Sequence, residues 1–445
     1  MGEHLTSKSE FSENPTCRGL VSTIYCGILF VMKQHFAKNK KPIRSASYTF
    51  VVTFLIVLFS GIFVVGIVAL ANESGDDSES ILSVWDIIPE KDKAKNAAIS
   101  EDENAGNNAG VDESDAAYAH SIKTKDNNAV TIGFAGDILF DDNYAVGEAF
   151  KKHGDSVRGV FGKRLLSEMK NVDIMLVNNE FPYSTGGEPI PDKTYTFRAR
   201  PETTKILNEM GVDMVSLANN HAYDYGEQAL LDSFDALNNA GIIYGGAGRN
   251  IEEASHPVYY INENGMKVAI ICATQIERLS NPDTKGATES SPGVFRCLDD
   301  SLLLDRIREA KEKNAFVVVF IHWGTESTTE IDYLQRDQAI EIADAGANLI
   351  VGSHPHILQA IDYVNGVPVV YSLGNYIFTS KTQDTGMVKA TFHDNGAVDL
   401  QFIPGIQQGC TVFAASGEEK SRIINAILQM SPGINMDGDG NISPK

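Results

Sequence analysis

From Asn128 onward the chain repeats one pattern, a short run rich in Val and Ile followed by a stretch of helical character. The runs are AVTIGFAG, VDIMLVNN, VDMVSLAN, KVAIICAT, AFVVVFIHWG, ANLIVGSH and VPVVYSLGN. Helices are predicted at Pro201 to Met210, Glu227 to Ala240, Ser301 to Asn314 and Tyr333 to Ala345. This alternation is the signature of α/β organisation. Two later runs, GMVKATFH and AVDLQFIP, alternate apolar and polar residues, as expected of strands with one solvated or helix-covered face.

The apolar runs end in residues that bind metals or move protons. They close at Asp137, Glu180, His221, His322 and the pair His354 and His356. An α/β sheet brings the carboxyl ends of its strands to one edge, where ligands bind. A lone histidine there is more often a hydrogen-bonded structural residue, but so many separate strand ends of ligand type argue for a centre. In VSLANNHAYDYG, Val215 to Gly226, asparagines serve equally for a polar turn or a helix cap. Imidazole, carboxylate and amide oxygen together suit borderline divalent ions such as Mn²⁺, Zn²⁺ or Fe²⁺. The HPH run is expected to be extended, its proline turning alternate histidines toward two neighbouring ions.

The ordered set resembles the calcineurin-like metallophosphoesterase pattern of Asp, an acidic bridging residue, Asn-His, His and Gly-x-His-x-His. More closely, GDILF, NNEFP, FRARPE, SLANNHAYDYG, IHWGTE, GSHPHILQ and YSLGNYIF resemble the CapA family of capsule-synthesis proteins, also called PGA_cap, associated with poly-γ-glutamate production. The resemblance implies a sandwich of β-sheets flanked by helices. It implies that Asp137 binds a first ion, with His356, and that Glu180 bridges both ions. Asn220, His322 and His354 complete the second site. It makes His221 a proton donor beside the metals and no ligand, with Asp224 orienting its imidazole. The chain departs from the pattern at Leu139, where a histidine is usual, and at Glu180, where an aspartate is usual. The first site therefore lacks a neutral ligand unless Asp141, Asp142 or water substitutes, and one firm ion, on Glu180, Asn220, His322 and His354, and one weaker ion are expected. Arg198 is open to two readings, a clamp for an anionic substrate group or a surface salt bridge.

The N-terminal part is of another kind. Thr49 to Ala71 carries no charge, and about 20 apolar residues suffice to cross a bilayer. Lys33, Lys38, Lys40, Lys41 and Arg44 precede it, and Glu73, Asp76, Asp77 and Glu79 follow. That asymmetry predicts a single pass with the N-terminus inside. The expected organisation is a cytoplasmic tail over 1–48, a transmembrane helix over 49–71, an acidic disordered linker over 72–128, and an extracytoplasmic domain over 129–445. The apolar stretch Leu20 to Met32 is too short to span. Within the linker, ILSVWDIIP is apolar enough to dock on a surface. Cys272, Cys297 and Cys410 are too scattered for a disulfide framework, and Cys272 reads as a buried thiol. The run DGDGN, Asp437 to Asn441, reads as a turn.

A formal net charge of −22 argues against nucleic acid as a partner. The expected partners are the bilayer, membrane subunits of a polyglutamate or capsule synthase, and an anionic polymer or phosphoester. An acidic protein does not draw a polyanion from a distance, so a polymer would need a local site. That site is the metals, or Arg198 with Lys193 and Arg200. Two other functions compete: a metal-dependent hydrolase of a phosphoester or envelope substrate, and a scaffold whose metal is structural.

Overall fold

A computed structural model describes residues 53–59, 62–68, 113–277 and 284–445, which fall into two units. In the first unit, Thr53–Phe59 pairs antiparallel with Ile62–Val68. Both strands are rich in Val, Ile and Phe, residues that favour extended backbone. The helix expected over 49–71 is therefore not what the described stretches form. Among the described residues, no helix is long and apolar enough to cross a membrane. The rest of that span, with Leu20 to Met32 and ILSVWDIIP, lies outside the described residues.

The second unit is a mixed α/β fold built on two large sheets. In one, Ala129–Ile138, Ile174–Asn179, Met214–Ser216 and Ile243–Gly245 run parallel in sequence order. The long strands Gln383–His393 and Val398–Gln408 extend it antiparallel on the other side of the first. In the other sheet, Phe316–His322 lies between Lys267–Thr274 and Leu349–Ser353, all parallel.

Each strand's alternation divides its side chains between two cores. Ile132 and Phe134 face Ile270, Val318 and Phe320 across the gap between the sheets, with the Phe134 and Phe320 rings 6.3 Å apart. Met175 and Val177 pack outward on Leu165, Ile206, Leu230 and Phe234 of the covering helices. Ile271, Val319 and Ile321 pack on Leu303, Ile307, Ala339 and Ile342 on the far side. The layers run helix, sheet, sheet, helix. Strands buried on both faces read as continuous apolar runs, which is why they stand out in the sequence.

The four predicted helices form at Lys205–Met210 (after a 3₁₀ turn, Pro201–Thr204), Gly226–Asn239, Ser301–Glu312 and Tyr333–Ala345. The last begins at a capping box, in which Asp332 and Gln335 satisfy each other's backbone N–H groups. Residues 113–128, expected in the linker, pack on the domain instead. Ala119–Ser121 adds a parallel strand beside Val258–Ile261, and Lys313 Nζ donates to the buried Asp115 at 2.6 Å.

Candidate metal centre

The carboxyl ends of Ala129–Ile138, Ile174–Asn179, Met214–Ser216, Phe316–His322 and Leu349–Ser353 carry the side chains singled out above. Asp137 is placed by a close backbone approach: its N–H donates to Gly374 O at 3.0 Å. A Cβ on the preceding Gly136 would lie 1.9 Å from that same oxygen, so only glycine fits there. Asp137, Glu180 and His322 are all buried, and a ligand atom from each lies within 4.8 Å of the other two. This trio is a candidate site for a divalent ion.

Two more ligand candidates lie against His322, and a third lies against Asp137. Its Nε2 lies 2.9 Å from Asn220 Oδ1 and 3.1 Å from His354 Nδ1. Its Nδ1 faces Ser353 Oγ at 3.0 Å and Glu180 Oε1 at 3.7 Å. His356 Nδ1 lies 3.2 Å from Asp137 Oδ2 and 2.9 Å from Asn375 Oδ1. His354 and His356 are not extended as expected. Their φ angles are +97° and +61°, a left-handed backbone that costs about 1–3 kcal/mol per residue and clusters at functional sites.

The ionisable groups of this cluster perturb one another strongly. Burial first, then the Asp137 carboxylate beside it, pushes Glu180 well above the usual carboxylate range. Burial, then His354 and His356, holds His322 well below the usual imidazole value. Burial alone would lower His356 too, but the hydrogen bond and charge of Asp137 outweigh it and raise the imidazole. Glu180 Oε2 is buried without a hydrogen-bond partner, and Asp137 Oδ2 has no well-aligned one beyond the His356 imidazole at 3.2 Å. A buried oxygen left unsatisfied costs about 1–3 kcal/mol or more, and a divalent ion would serve both. The donor set of carboxylates, imidazoles and one amide fits such an ion.

His221 stands beside this group in a different setting. Its ring nitrogen Nδ1 pairs with Asp224 Oδ2 at 2.7 Å, and its ring packs on Phe197 with centroids 4.3 Å apart. Burial lowers the His221 value, and the opposing Asp224 charge does not cancel it. Asp224, itself buried, accepts also from Lys193 Nζ at 2.6 Å and from the Phe197 N–H at 2.7 Å. It does not cap the next helix, whose first flanking residue is Tyr225.

Several neighbouring residues are placed otherwise than expected. Leu139 is buried in the core beside the helices. Asp141 does not fill its gap, because its carboxylate caps the N–H groups of Asn143 and Arg198 at 2.7 and 2.6 Å. Asp142 pairs outward with Arg200 and Lys151. Lys193 is tied to Asp224 and to Asn220 O rather than offered to an anion. The Arg198 guanidinium lies 4.0 Å over the Tyr225 ring and donates to Gly186 O at 2.9 Å, a packed setting rather than a salt bridge. Residues given no role at the site from the sequence also belong here: Asn178, Asn219, Ser353 and Asn375. Their only signal was asparagine or serine at a strand end, which reads equally well as a turn.

Two outcomes are expected. Asn220→Ala and His322→Ala should each lower divalent-ion affinity at least about 10–100-fold, the range found for merely supporting residues, whereas His221→Ala should keep it. Titration with Mn²⁺ followed by calorimetry checks this, and equal loss in all three would make His221 a ligand. Second, added Mn²⁺ should raise the melting temperature more at about pH 8 than at about pH 5.5. Glu180, raised in the folded chain, favours the metal-free fold at low pH and opposes it as pH rises through the raised value; the ion removes that opposition. The depressed His322 acts the other way, weakening the fold as pH falls through the ordinary imidazole range. A melting shift independent of pH would rule these groups out as ligands.

Residues 131–380 match the family model described as "Bacterial capsule synthesis protein PGA_cap". The chain is 33% identical over 321 residues to the capsule biosynthesis protein CapA of Bacillus anthracis, covering 69% of this chain and 75% of that one. It is 30% identical over 289 residues to the PGA biosynthesis protein CapA of Bacillus subtilis (strain 168), covering 64% and 73%. A probable polyglutamine synthesis accessory protein of Mycobacterium tuberculosis is 25% identical over 46% of this chain and 55% of its own length. All the ligand candidates lie inside the matched region. The chain is a member of the PGA_cap family.

Proposed function

We propose that the chain serves capsule or poly-γ-glutamate synthesis, as a membrane-anchored protein whose large domain lies outside the cell and meets the emerging polymer at a divalent centre. The observation that carries this reading is the pair of buried carboxylates, Asp137 and Glu180, gathered among imidazoles in a chain of this family. Membrane subunits of the synthase are its proposed partners, and Mn²⁺, Zn²⁺ or Fe²⁺ its proposed ion. The relatives named for capsule and polyglutamate synthesis support the process, and the charge asymmetry around residues 49–71 supports the anchor and its orientation.

When bound, a divalent ion supplies a Lewis acid for a carbonyl or carboxylate oxygen. Asp137, Glu180, Asn220, His322, His354 and His356 would hold the ions. With Nδ1 committed to Asp224, His221 has its other nitrogen, Nε2, for a substrate proton. Phe197 and Asp224 fix that ring in place. Arg198, next to Phe197 in sequence, is the cation proposed for a polymer carboxylate. The His221–Asp224 pair favours a reacting centre over a structural metal, and a phosphoester remains the alternative substrate.

Capsule formation is the test of function. In a host lacking its own copy, His221→Ala should keep full metal content yet lose the polymer, with turnover down about 10²–10⁴-fold wherever a substrate is assayed. Normal polymer from a metal-loaded His221→Ala protein would leave the scaffold in first place. Protease added to protoplasts tests the topology. The domain beyond residue 112 should be digested while the basic N-terminal tail survives, and a protected domain would reverse the orientation.

A further inference from the structure

The two carboxylates of the metal centre share one hydrogen-bond donor. Asn178 Nδ2 donates to Asp137 Oδ1 at 2.7 Å and to Glu180 Oε1 at 2.8 Å. The oxygens left over are Asp137 Oδ2, which has only the His356 imidazole beside it at 3.2 Å, and Glu180 Oε2, which is buried with no hydrogen-bond partner. A primary amide has two hydrogens, and the carboxylates take both. His322 Nδ1, 3.2 Å from the same nitrogen, is then served by Ser353 Oγ at 3.0 Å.

The orientation of the amide follows from its neighbours. His221 N–H donates to Asn219 Oδ1 at 3.0 Å, so Asn219 must present its nitrogen inward. That nitrogen donates to Asn178 Oδ1 at 3.1 Å and to Asn179 O at 2.9 Å. Asn178 therefore keeps its oxygen toward Asn219 and its nitrogen toward the carboxylates. A backbone N–H at one end fixes both side-chain amides without ambiguity. Buried without an ion, two carboxylates at one site repel, and a neutral donor between them holds one oxygen of each in place.

We infer that Asn178 is a positioning residue for the metal centre: its amide binds one oxygen of each carboxylate and so turns the other oxygen of each toward the ion. The inference rests on the divalent centre proposed above. It also assigns a task to Asn219, whose amide links the turn that carries Asn220 and His221 to the carboxylate pair. The neighbouring Asn179 provides a control. It is equally buried, but its amide donates to Phe181 O at 2.6 Å and accepts from the Tyr183 hydroxyl at 2.7 Å, away from the carboxylates.

The test is Co²⁺ titration of the full-length, detergent-solubilised protein, read by visible absorption, with melting temperature measured in parallel. Asn178→Leu, similar in shape but without a donor, should weaken Co²⁺ binding at least about 10-fold and alter the spectrum of the bound ion. Asn178→Thr, with one donor left, should fall between Asn178→Leu and the parent. Asn179→Ala should lower the melting temperature but leave the Co²⁺ spectrum as in the parent. The inference is overturned if Asn178→Leu binds within about twofold of the parent with the same spectrum, or if Asn179→Ala disturbs the spectrum as much. Should Asn178→Leu fail to fold, Asn178→Thr decides, and an unchanged titration and spectrum there count against it. A parent protein that takes up no Co²⁺ would sink the divalent centre itself, and this role with it.

Discussion

The site turns on two carboxylates, Asp137 and Glu180, buried side by side. Like charges in a dry place raise each other's proton affinity, and Glu180 is displaced upward accordingly. Buried charge persists where something compensates it. The compensation visible within the chain is incomplete: one neutral amide shared between the two, and an imidazole beside Asp137 at 3.2 Å. A divalent cation bound at this candidate site would offset the remaining deficit. The left-handed backbone at His354 and His356 points the same way, since strain of that kind persists only where the surroundings insist on it.

The fold supplies the insistence. Parallel strands of both sheets end at one edge, so residues more than 200 positions apart in sequence meet within a few ångströms, as Asp137 and His356 do. Every strand in that set is anchored on both faces by apolar packing. A rigid strand ending in a short turn fixes a side chain better than a mobile loop does, and ligand geometry tolerates little drift. The stability of the cores and the precision of the centre thus come from the same apolar runs.

Those runs are why so much was legible in the sequence. Strands buried on both faces announce themselves as Val and Ile blocks, and the polar residue that ends each block marks the edge. Asp137, Glu180, His322 and the HPH pair were found in this way. Asn178 and Asn219 were not, because an asparagine at a strand end looks the same whether it bends the chain or orients a ligand. Hydrogen-bond direction is a tertiary property and leaves no trace in spacing. Asp141 misled for a similar reason: a carboxylate near the gap left by Leu139 satisfies two backbone N–H groups instead. The strand Ala119–Ser121 is three residues in an acidic stretch, too short for any periodicity to show. Composition marks 49–71 as apolar, but apolar residues rich in Val and Ile suit a strand as well as a helix, and the described part forms two strands.

The opening stretch of the site, VSLANNHAYDYG, then divides its labour among neighbours. Asn219 makes the turn and, through Asn178, holds the carboxylates. Asn220 turns its amide oxygen to His322, and His221 turns away to Asp224. Lys193 ties the two ends of this segment together by reaching both Asn220 O and Asp224 Oδ1. Four successive functions in six residues leave no position that tolerates a shift in register. A displacement of the turn would move the proposed proton donor and the carboxylate oxygens at once, because one chain of amides joins them. One chain of amides thus positions both the proposed ion and the proposed proton donor, while the imidazole itself, turned to Asp224, can be removed without taking a ligand from the ion.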